Sequence, residues 1–274
     1  MHMMFQRKRL LCSERLLEIG RNDMEAILTA KDLCKTFSNE SVQQHVLKNL
    51  NLQVGKGDFT VIMGNSGSGK STLLYALSGM DRPTLGSISY QGEEISKYTN
   101  DQLAIFRRKH CGFVFQQNYL NDTMSVMDNI MVSGLLINKN RKALAEKAKK
   151  LLLQVGISEF IFHKFPTQLS GGEQQRVAMV RGIINSPEIL FADEPTGALN
   201  SKNTEAVLNV LTDLNHNGQS IVMVTHDIKS AERGNKILYL KDGVIIGELN
   251  LGVYVSGDKE RHERLCAFLE EMGW

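Results

Sequence analysis

The chain has 274 residues, of which 42% are hydrophobic and 23% charged, and its formal net charge is +2. These values are typical of a globular protein with one large domain or a core plus a subdomain, and the charge gives no indication of nucleic-acid binding. Four cysteines are scattered without a C-x-x-C pair, which disfavours a zinc site or a disulfide framework and fits a reducing, cytosolic setting.

Residues 1–23 form a basic segment whose leucines occur only in short pairs, too few for the apolar core of a signal peptide. We expect a poorly ordered leader there, with a basic arm on anionic lipid as the alternative. No apolar run reaches the roughly 18 to 20 residues that a membrane-spanning helix needs. A membrane role would therefore require a partner chain.

The domain is expected to start near residue 24 and to extend to 251. Its first elements are strands in "AILTAKDLCKTF" and "VLKNLNLQV", followed by the apolar run Phe59–Met63, which ends at Gly64. The segment Lys70–Leu77 places its leucines on one face and predicts a helix. The order is therefore strand, glycine loop, helix.

A helical subdomain is predicted over about 118–185. One segment in it carries apolar residues at helical spacing, with lysines on the opposite face: Leu144, Ala148, Leu151, Leu152 and Val155. Apolar strands follow at Ile189–Ala192 and Ile221–Val224, alternating with helices. This alternation predicts an α/β fold whose mostly parallel sheet is covered on both faces.

The end of the chain combines a hairpin and a helix. Two strand-like runs flank Asp242-Gly243, a strong hairpin signal. In the tail, residues 252–274, an amphipathic helix is predicted from a stripe of Leu265, Phe268, Leu269 and Met272. A helix that packs on the core is favoured over one that docks a partner.

The run "GNSGSGKS" matches the phosphate-loop pattern G-x-x-x-x-G-K-[ST] and lies between a strand and a helix. Its backbone N–H groups would cradle phosphate oxygens, Lys70 would neutralise their charge, and the Ser71 hydroxyl would bind Mg²⁺. A ligand-free glycine turn is the alternative. The predicted nucleotide-binding residues here are Gly64, Asn65, Ser66, Gly67, Ser68, Gly69, Lys70, Ser71 and Thr72.

Four polar side chains are expected at the carboxyl edge of the sheet, where α/β proteins bind ligands. Asp193 would hold Mg²⁺, and Glu194 would activate the attacking water. His226, after another apolar strand, could contact a γ-phosphate, and Gln116 could bind Mg²⁺ or water. Phe37 could stack on adenine or serve as a core or edge aromatic. For the first three, a solvated strand end is the alternative.

Residues 24–251 resemble the nucleotide-binding subunit of ATP-binding-cassette (ABC) transporters. "GNSGSGKST" is similar to Walker A, "GFVFQ" to the Q-loop, "LSGGEQQR" to the ABC signature, "ILFADEP" to Walker B and "VTHD" to the H-loop, in that order. The resemblance implies a P-loop NTPase core, an N-terminal antiparallel β subdomain and an inserted α-helical signature subdomain. It also implies ATP and Mg²⁺ as ligands and Glu194 as general base.

The resemblance further implies a head-to-tail dimer with ATP between two chains. The signature residues Leu169, Ser170, Gly171, Gly172 and Glu173 would face the phosphate loop of the other chain, with Ser170 as N-cap of a helix from Glu173. Asn200 stands where the family's D-loop usually has aspartate, so communication across the dimer could differ.

Within the family, the chain looks most like bacitracin-type antimicrobial-peptide resistance ATPases, related to macrolide-export, lipoprotein-release and cell-division ATPases. That implies ATP hydrolysis coupled to a separate membrane permease, at the inner face of the cell membrane. Alternatives are lipoprotein-release or cell-division types, a soluble ATPase acting on nucleic acid or ribosomes, and a regulatory module without turnover. No nucleic-acid partner is expected.

Overall fold

The computed structural model describes residues 26–39 and 42–274, so the expected leader lies outside the described residues. Within these ranges the chain forms two sheets with helices around them. The predicted α/β class is confirmed, with an antiparallel sheet and a mostly parallel one. No helix in the described ranges is both long and apolar enough to span a membrane.

The antiparallel sheet has the order β2-β1-β4-β5. Its strands are β1 (Ala26–Asn39), β2 (Val42–Gly55), β4 (Leu85–Tyr90) and β5 (Glu93–Glu94). Its buried side chains belong to the same apolar cluster as Leu73, Leu74 and Leu77 from the predicted helix. This shared cluster fixes the antiparallel sheet beside the glycine loop.

The second sheet has the order β10-β9-β3-β8-β7-β6. Its strands are β3 (Phe59–Met63), β6 (Cys111–Phe115), β7 (Ile189–Asp193), β8 (Ser220–Val224), β9 (Lys236–Lys241) and β10 (Val244–Asn250). All neighbouring strands are parallel except β9 and β10, which form the hairpin predicted at Asp242-Gly243. Every residue of β3, β7 and β8 is buried, as expected for strands covered on both faces.

Eight α-helices complete the described chain. They are α1 (Lys70–Leu77), α2 (Asn100–His110), α3 (Val126–Gly134), α4 (Arg141–Gln154), α5 (Gly171–Ile183), α6 (Ser201–His216), α7 (Ile228–Ala231) and α8 (Lys259–Met272). Helix α1 has the predicted bounds. The signature helix α5 begins at Gly171 rather than Glu173, because Ser170 caps it and both glycines form its first turn.

Helices α3, α4 and α5 share an apolar cluster of their own, which includes Leu144, Ala148 and Leu152. Helix α5 also contributes Met179 and Ile183 to the cluster beneath the parallel sheet. This one helix therefore joins the helical region to the sheet, and its N-terminus carries the signature sequence.

Helix α8 packs on the sheet. Leu265 and Leu269 are fully buried in the sheet cluster, and Phe268 and Met272 pack against it. Gly247 of β10 makes room for this contact, since a Cβ there would lie 2.5 Å from the Met272 sulfur. The apolar stripe predicted from the sequence thus packs against the core of the same chain.

Candidate functional site

A cleft of about 680 Å³ opens at the carboxyl end of β3, between the glycine loop and the strand ends. Its lining includes Lys70, Glu194 and His226 together with most of the predicted loop. The loop depends on Gly64, whose φ is +150°. A Cβ at this position would lie 2.0 Å from the Leu240 carbonyl oxygen. Only glycine lets the chain turn here directly after the strand.

The loop is built to receive an anion. Gly69 is the N-cap of helix α1 and has no side chain to cap it, so the N–H groups of the first turn lack a side-chain acceptor. The Ser68 hydroxyl is buried, and no hydrogen-bond partner for it lies among the described residues. Buried polar atoms without partners are uncommon in folded proteins. Both features fit phosphate oxygens in this loop.

Lys70 is folded back into the loop. Its ammonium donates to the carbonyl oxygens of Gly64 at 2.8 Å and Asn65 at 3.0 Å, and the residue is only 8% exposed. Burial lowers the pKa of Lys70, and the carboxylates of Glu194 and Asp193 oppose that shift. A phosphate would provide the negative charge that this partly desolvated cation lacks.

Asp193 ends β7 and receives two hydroxyl hydrogen bonds from α1. Ser71 Oγ donates to Oδ1 at 2.9 Å, and Tyr75 Oη donates to Oδ2 at 2.7 Å. Ser71 and Asp193, two of the three predicted Mg²⁺ ligands, therefore touch each other. Tyr75, four residues beyond Ser71 on the same helix face, was absent from the predicted site, although its spacing could have indicated it.

The hydroxyl and the carboxylate are hard oxygen donors that suit Mg²⁺. No cluster of three histidine, cysteine or acidic side chains that could hold a metal occurs in residues 26–39 and 42–274. Mg²⁺ is commonly bound by one or two carboxylates plus substrate phosphates. The pair therefore fits a magnesium ion that arrives with a nucleotide.

Glu194 follows Asp193 with a φ of +45°, in the left-handed region that non-glycine residues rarely adopt. Its N–H donates to the Val224 carbonyl oxygen at 3.0 Å, which holds this turn against β8. Glu194 Oε1 lies 3.0 Å from His226 Nδ1. The strained backbone at Glu194 thus lets the Asp193 carboxylate contact Ser71 while the Glu194 carboxylate contacts His226.

Gln116 follows β6 and is exposed near Glu194. A Cβ on Gly197 would lie 2.9 Å from Gln116 Nε2 and 3.3 Å from Glu194 Oε2, so both side chains cover the same glycine. Gln116 makes no hydrogen bond to Ser71 or Asp193 in the described chain. Its expected metal contact stays a prediction.

The loop after Gln116 is fastened to the signature helix α5. Gln175 donates to the Phe115 carbonyl oxygen at 2.8 Å. Arg181 donates to the carbonyl oxygens of Asn118 and Tyr119 at 2.7 and 2.6 Å. Sequence reasoning missed Gln175 and Arg181, since nothing local indicates which distant loop a helix will hold.

The signature residues lie outside the cleft lining. Ser170 caps α5, and its N–H and hydroxyl both donate to the Glu173 carboxylate, at 2.8 and 2.7 Å. These bonds lower the pKa of Glu173. The N-terminus of α5 is therefore closed by a capping box, and within one chain it is not part of the cleft wall around Lys70.

Asn200 caps helix α6, because its Oδ1 accepts the Asn203 N–H at 3.0 Å. Asparagine and aspartate cap helices about equally well, so this local role does not require the family's usual aspartate. The start of α6 also packs on the signature, since a Cβ on Gly172 would lie 2.4 Å from the Asn203 side chain.

Phe37 lies beside the cleft rather than in its lining. Its ring is 46% exposed, and the Lys35 ammonium lies 4.8 Å from the ring centroid. Its cross-strand neighbour Gln44 does line the cleft. The sequence analysis placed neither Gln44 nor Trp274 in the site, yet both contribute to its wall.

Comparisons with known proteins agree with this geometry. A family model described as ABC transporter matches residues 47–197. The chain is 43% identical over 228 residues to the bacitracin export ATP-binding protein BceA of Halalkalibacterium halodurans, covering 83% of this chain and 90% of that protein. It is 43% identical over 227 residues to the lipoprotein-releasing system ATP-binding protein LolD of Aquifex aeolicus, covering 82% and 99%.

A solved structure is similar to most of this chain. It is the dimeric ATP-binding cassette MJ0796 in a post-hydrolysis state, bound to ADP and Pi. The match has a TM-score of 0.74 at 36% sequence identity and covers 83% of this chain and all of that one.

Proposed function

The chain belongs to the ABC transporter family as an ATP-binding subunit with ATPase activity, and we propose that it hydrolyses ATP in the cleft around Lys70 to power a separate membrane permease. The observation that carries this proposal is the convergence of two side-chain pairs on one phosphate loop. Ser71 and Asp193 would bind Mg²⁺, and Glu194 and His226 would position the attacking water.

Phosphoryl transfer leaves the protein mainly positioning and charge stabilisation. Lys70 and the backbone of the loop would bind the β- and γ-phosphates. Mg²⁺, when bound by Ser71 and Asp193, would neutralise phosphate charge. Glu194 would orient the attacking water and accept its proton, while the hydrogen bond between Glu194 Oε1 and His226 Nδ1 holds the imidazole ring beside the γ-phosphate position. Gln116, beside Glu194, would move when the γ-phosphate leaves.

The test is Glu194→Gln, which keeps the size and the hydrogen-bonding capacity but removes the base. We expect ATP binding to persist and steady-state phosphate release to stop. Glu188→Gln, at a carboxylate that bonds Tyr90 and His110, is the matched control and should hydrolyse ATP normally. Normal turnover in Glu194→Gln would remove Glu194 from the mechanism.

We propose in addition that the active form is a head-to-tail dimer. Ser170 and its helix lie outside the cleft of their own chain, so a second chain is needed to bring a signature to each nucleotide. Mixing inactive Lys70→Ala chains with inactive Ser170→Ala chains should restore one composite site per mixed dimer. A mixture as inactive as either parent would exclude completion across the dimer.

Exposed apolar side chains near the Gln116 loop and on the helical region support a surface of this chain that contacts the permease. Tyr119 is 64% exposed and Phe160 is 78% exposed. Exposed apolar side chains that form a contiguous patch often mark contacts with other proteins. We place the chain at the cytoplasmic face of the membrane, held there by its permease.

For the cargo, we propose antimicrobial-peptide export of the bacitracin type, with lipoprotein release or cell division as the alternatives. The 43% identities to BceA and LolD do not separate them. Co-expression with a candidate permease decides: peptide export requires ATPase stimulation by bacitracin and peptide resistance that is lost in Glu194→Gln. Stimulation by lipoprotein instead, or by DNA or ribosomes without the permease, would overturn it.

A further inference from the structure

Trp274, which follows helix α8, lines the same cleft as Lys70, Glu194 and His226. Its indole ring packs edge-on against Tyr239, with the centroids 6.2 Å apart. Tyr239 pairs in β9 with Met63, the residue directly before Gly64. Trp274 therefore lies at the phosphate end of the cleft, whereas Phe37 lies on the antiparallel sheet.

The position of Trp274 is fixed at the end of helix α8. Gly273 adopts a φ of +78°, and its N–H donates to the Glu270 carbonyl oxygen. The Trp274 N–H then donates to the Leu269 carbonyl oxygen at 3.0 Å. These two bonds form the Schellman motif, which closes the helix and directs the next residue back across it.

The start of helix α8 is held as firmly. Arg261 is 2% exposed, and its guanidinium donates to the carbonyl oxygens of Glu232 and Leu251 at 2.6 and 3.0 Å and to that of Gly234. With the buried leucines in its middle, the helix is anchored along its length. It holds a tryptophan at the cleft on a rigid support rather than on a free tail.

Trp274 is only partly covered in this position. Its side chain is 41% exposed, and its indole N–H donates to no acceptor among the described residues. The neighbouring Tyr239 hydroxyl is buried and also lacks a partner there. An indole N–H usually finds an acceptor when its ring is covered. A nucleotide in the cleft would both cover the ring and supply oxygen acceptors.

We propose that Trp274 is a further nucleotide-binding residue, whose ring covers the phosphate end of the cleft and whose Nε1–H donates to the bound nucleotide. This inference rests on the proposed assignment of the cleft as the nucleotide site. It gives helix α8 a role in the site, because any change that moves the helix also moves one wall of the cleft.

The chain contains a single tryptophan, so its emission reports on this position alone. The full chain, at a concentration where it is monomeric, is titrated with Mg·ADP while calorimetry measures binding independently. We expect emission to change and acrylamide quenching to fall, with the dissociation constant that calorimetry gives. Lys70→Ala should lose both the calorimetric signal and the emission change. As a control, Trp274→Phe combined with Phe160→Trp moves the fluorophore to an exposed distant position, where emission should not respond.

Two substitutions test the contact itself. Trp274→Phe keeps a ring but loses the N–H, and we expect ADP affinity to fall about three- to tenfold, the size of one hydrogen bond to a charged group at a partly exposed site. Gly273→Ala strains the left-handed turn and displaces Trp274, so a similar loss is expected. Gly218→Ala strains an equivalent turn after helix α6, with φ +91°, and should leave ADP affinity unchanged.

The outcomes separate this inference from the assignment beneath it. If calorimetry detects no nucleotide binding to the wild-type chain, the proposed function itself fails. If ADP binds but the emission and quenching of Trp274 stay constant, or Trp274→Phe binds ADP as tightly as wild type, the inference is wrong. A response that appears only when ATP drives dimerisation also overturns it, since Trp274 would then contact the partner chain.

Discussion

Tyr75 offers the sharpest test of the metal site, because it holds Asp193 without being a metal ligand. Its hydroxyl donates to Asp193 Oδ2, while Ser71 occupies Oδ1. With Ser71 as a ligand of Mg²⁺, Tyr75 would be the side chain that orients the Asp193 carboxylate. Burial first, and then the bond to Asp193, raises the pKa of Tyr75 to about 12, so the hydroxyl keeps its proton at neutral pH.

Tyr75→Phe removes this bond and little else. A hydrogen bond to a charged group contributes about 1.5 to 3 kcal/mol. Tyr75 is partly exposed, so we take the lower value, about 1.5 kcal/mol or roughly tenfold in an equilibrium constant. Tyr75→Phe should therefore reduce the increase in ADP affinity that Mg²⁺ causes. It should leave the ADP affinity measured without metal unchanged.

The assay is calorimetry of ADP binding with excess Mg²⁺ and with EDTA, on wild type and variant. We expect the ratio of the two affinities to shrink about tenfold in Tyr75→Phe. Tyr98→Phe removes another tyrosine bond to a carboxylate, that of Glu93, outside the cleft, and should leave the ratio unchanged. An unchanged ratio in Tyr75→Phe would refute a positioning role for Tyr75.

Two further predictions concern the same structure. Arg181→Lys loses the paired bonds to the loop after Gln116, so we expect ATP turnover to fall several-fold at unchanged ADP affinity. Arg108→Lys, at an exposed position of α2, is the control. Equal turnover in the two variants would contradict a role of Arg181 in holding this loop. Because the folded pKa of Tyr75 lies above its ordinary value of 10.0, its contribution to stability is complete below pH 10 and is lost as the pH rises toward 12. Urea unfolding should therefore show a smaller loss of stability between these pH values in Tyr75→Phe than in wild type, and equal losses would argue against it.

The sequence predicts best where the determinant is local. The strand Phe59–Met63, the loop and the helix Lys70–Leu77 have the predicted bounds, because apolar run, glycines and leucine face lie within a short segment. The strand before the acidic pair extends one residue further than predicted, to Asp193, because this residue still pairs with Phe115 and Val224 on either side. Such pairing depends on neighbouring strands that the segment itself does not specify.

The missed site residues depend on tertiary contacts. Trp274 reaches the cleft only because helix α8 folds back on β10, where Gly247 leaves room for it. Gln175 and Arg181 gain their roles from the loop that α5 happens to cross. Glutamine and arginine occur on many exposed helix faces, so their types carry no signal until the packing is known.

The contacts of α5 connect the cleft to the surface that a second chain would use. Its N-terminus carries Ser170, its middle holds the strand end before Gln116 through Gln175, and its last turn holds the following loop through Arg181. A helix with both faces packed moves as a unit, because each face belongs to an apolar cluster that resists deformation. A shift of Gln116 upon loss of the γ-phosphate would therefore be transmitted to Ser170 through side chains of one helix. We expect this coupling to weaken when the Gln175 contact or the Arg181 contact is removed. Neither of these two side chains lines the nucleotide cleft.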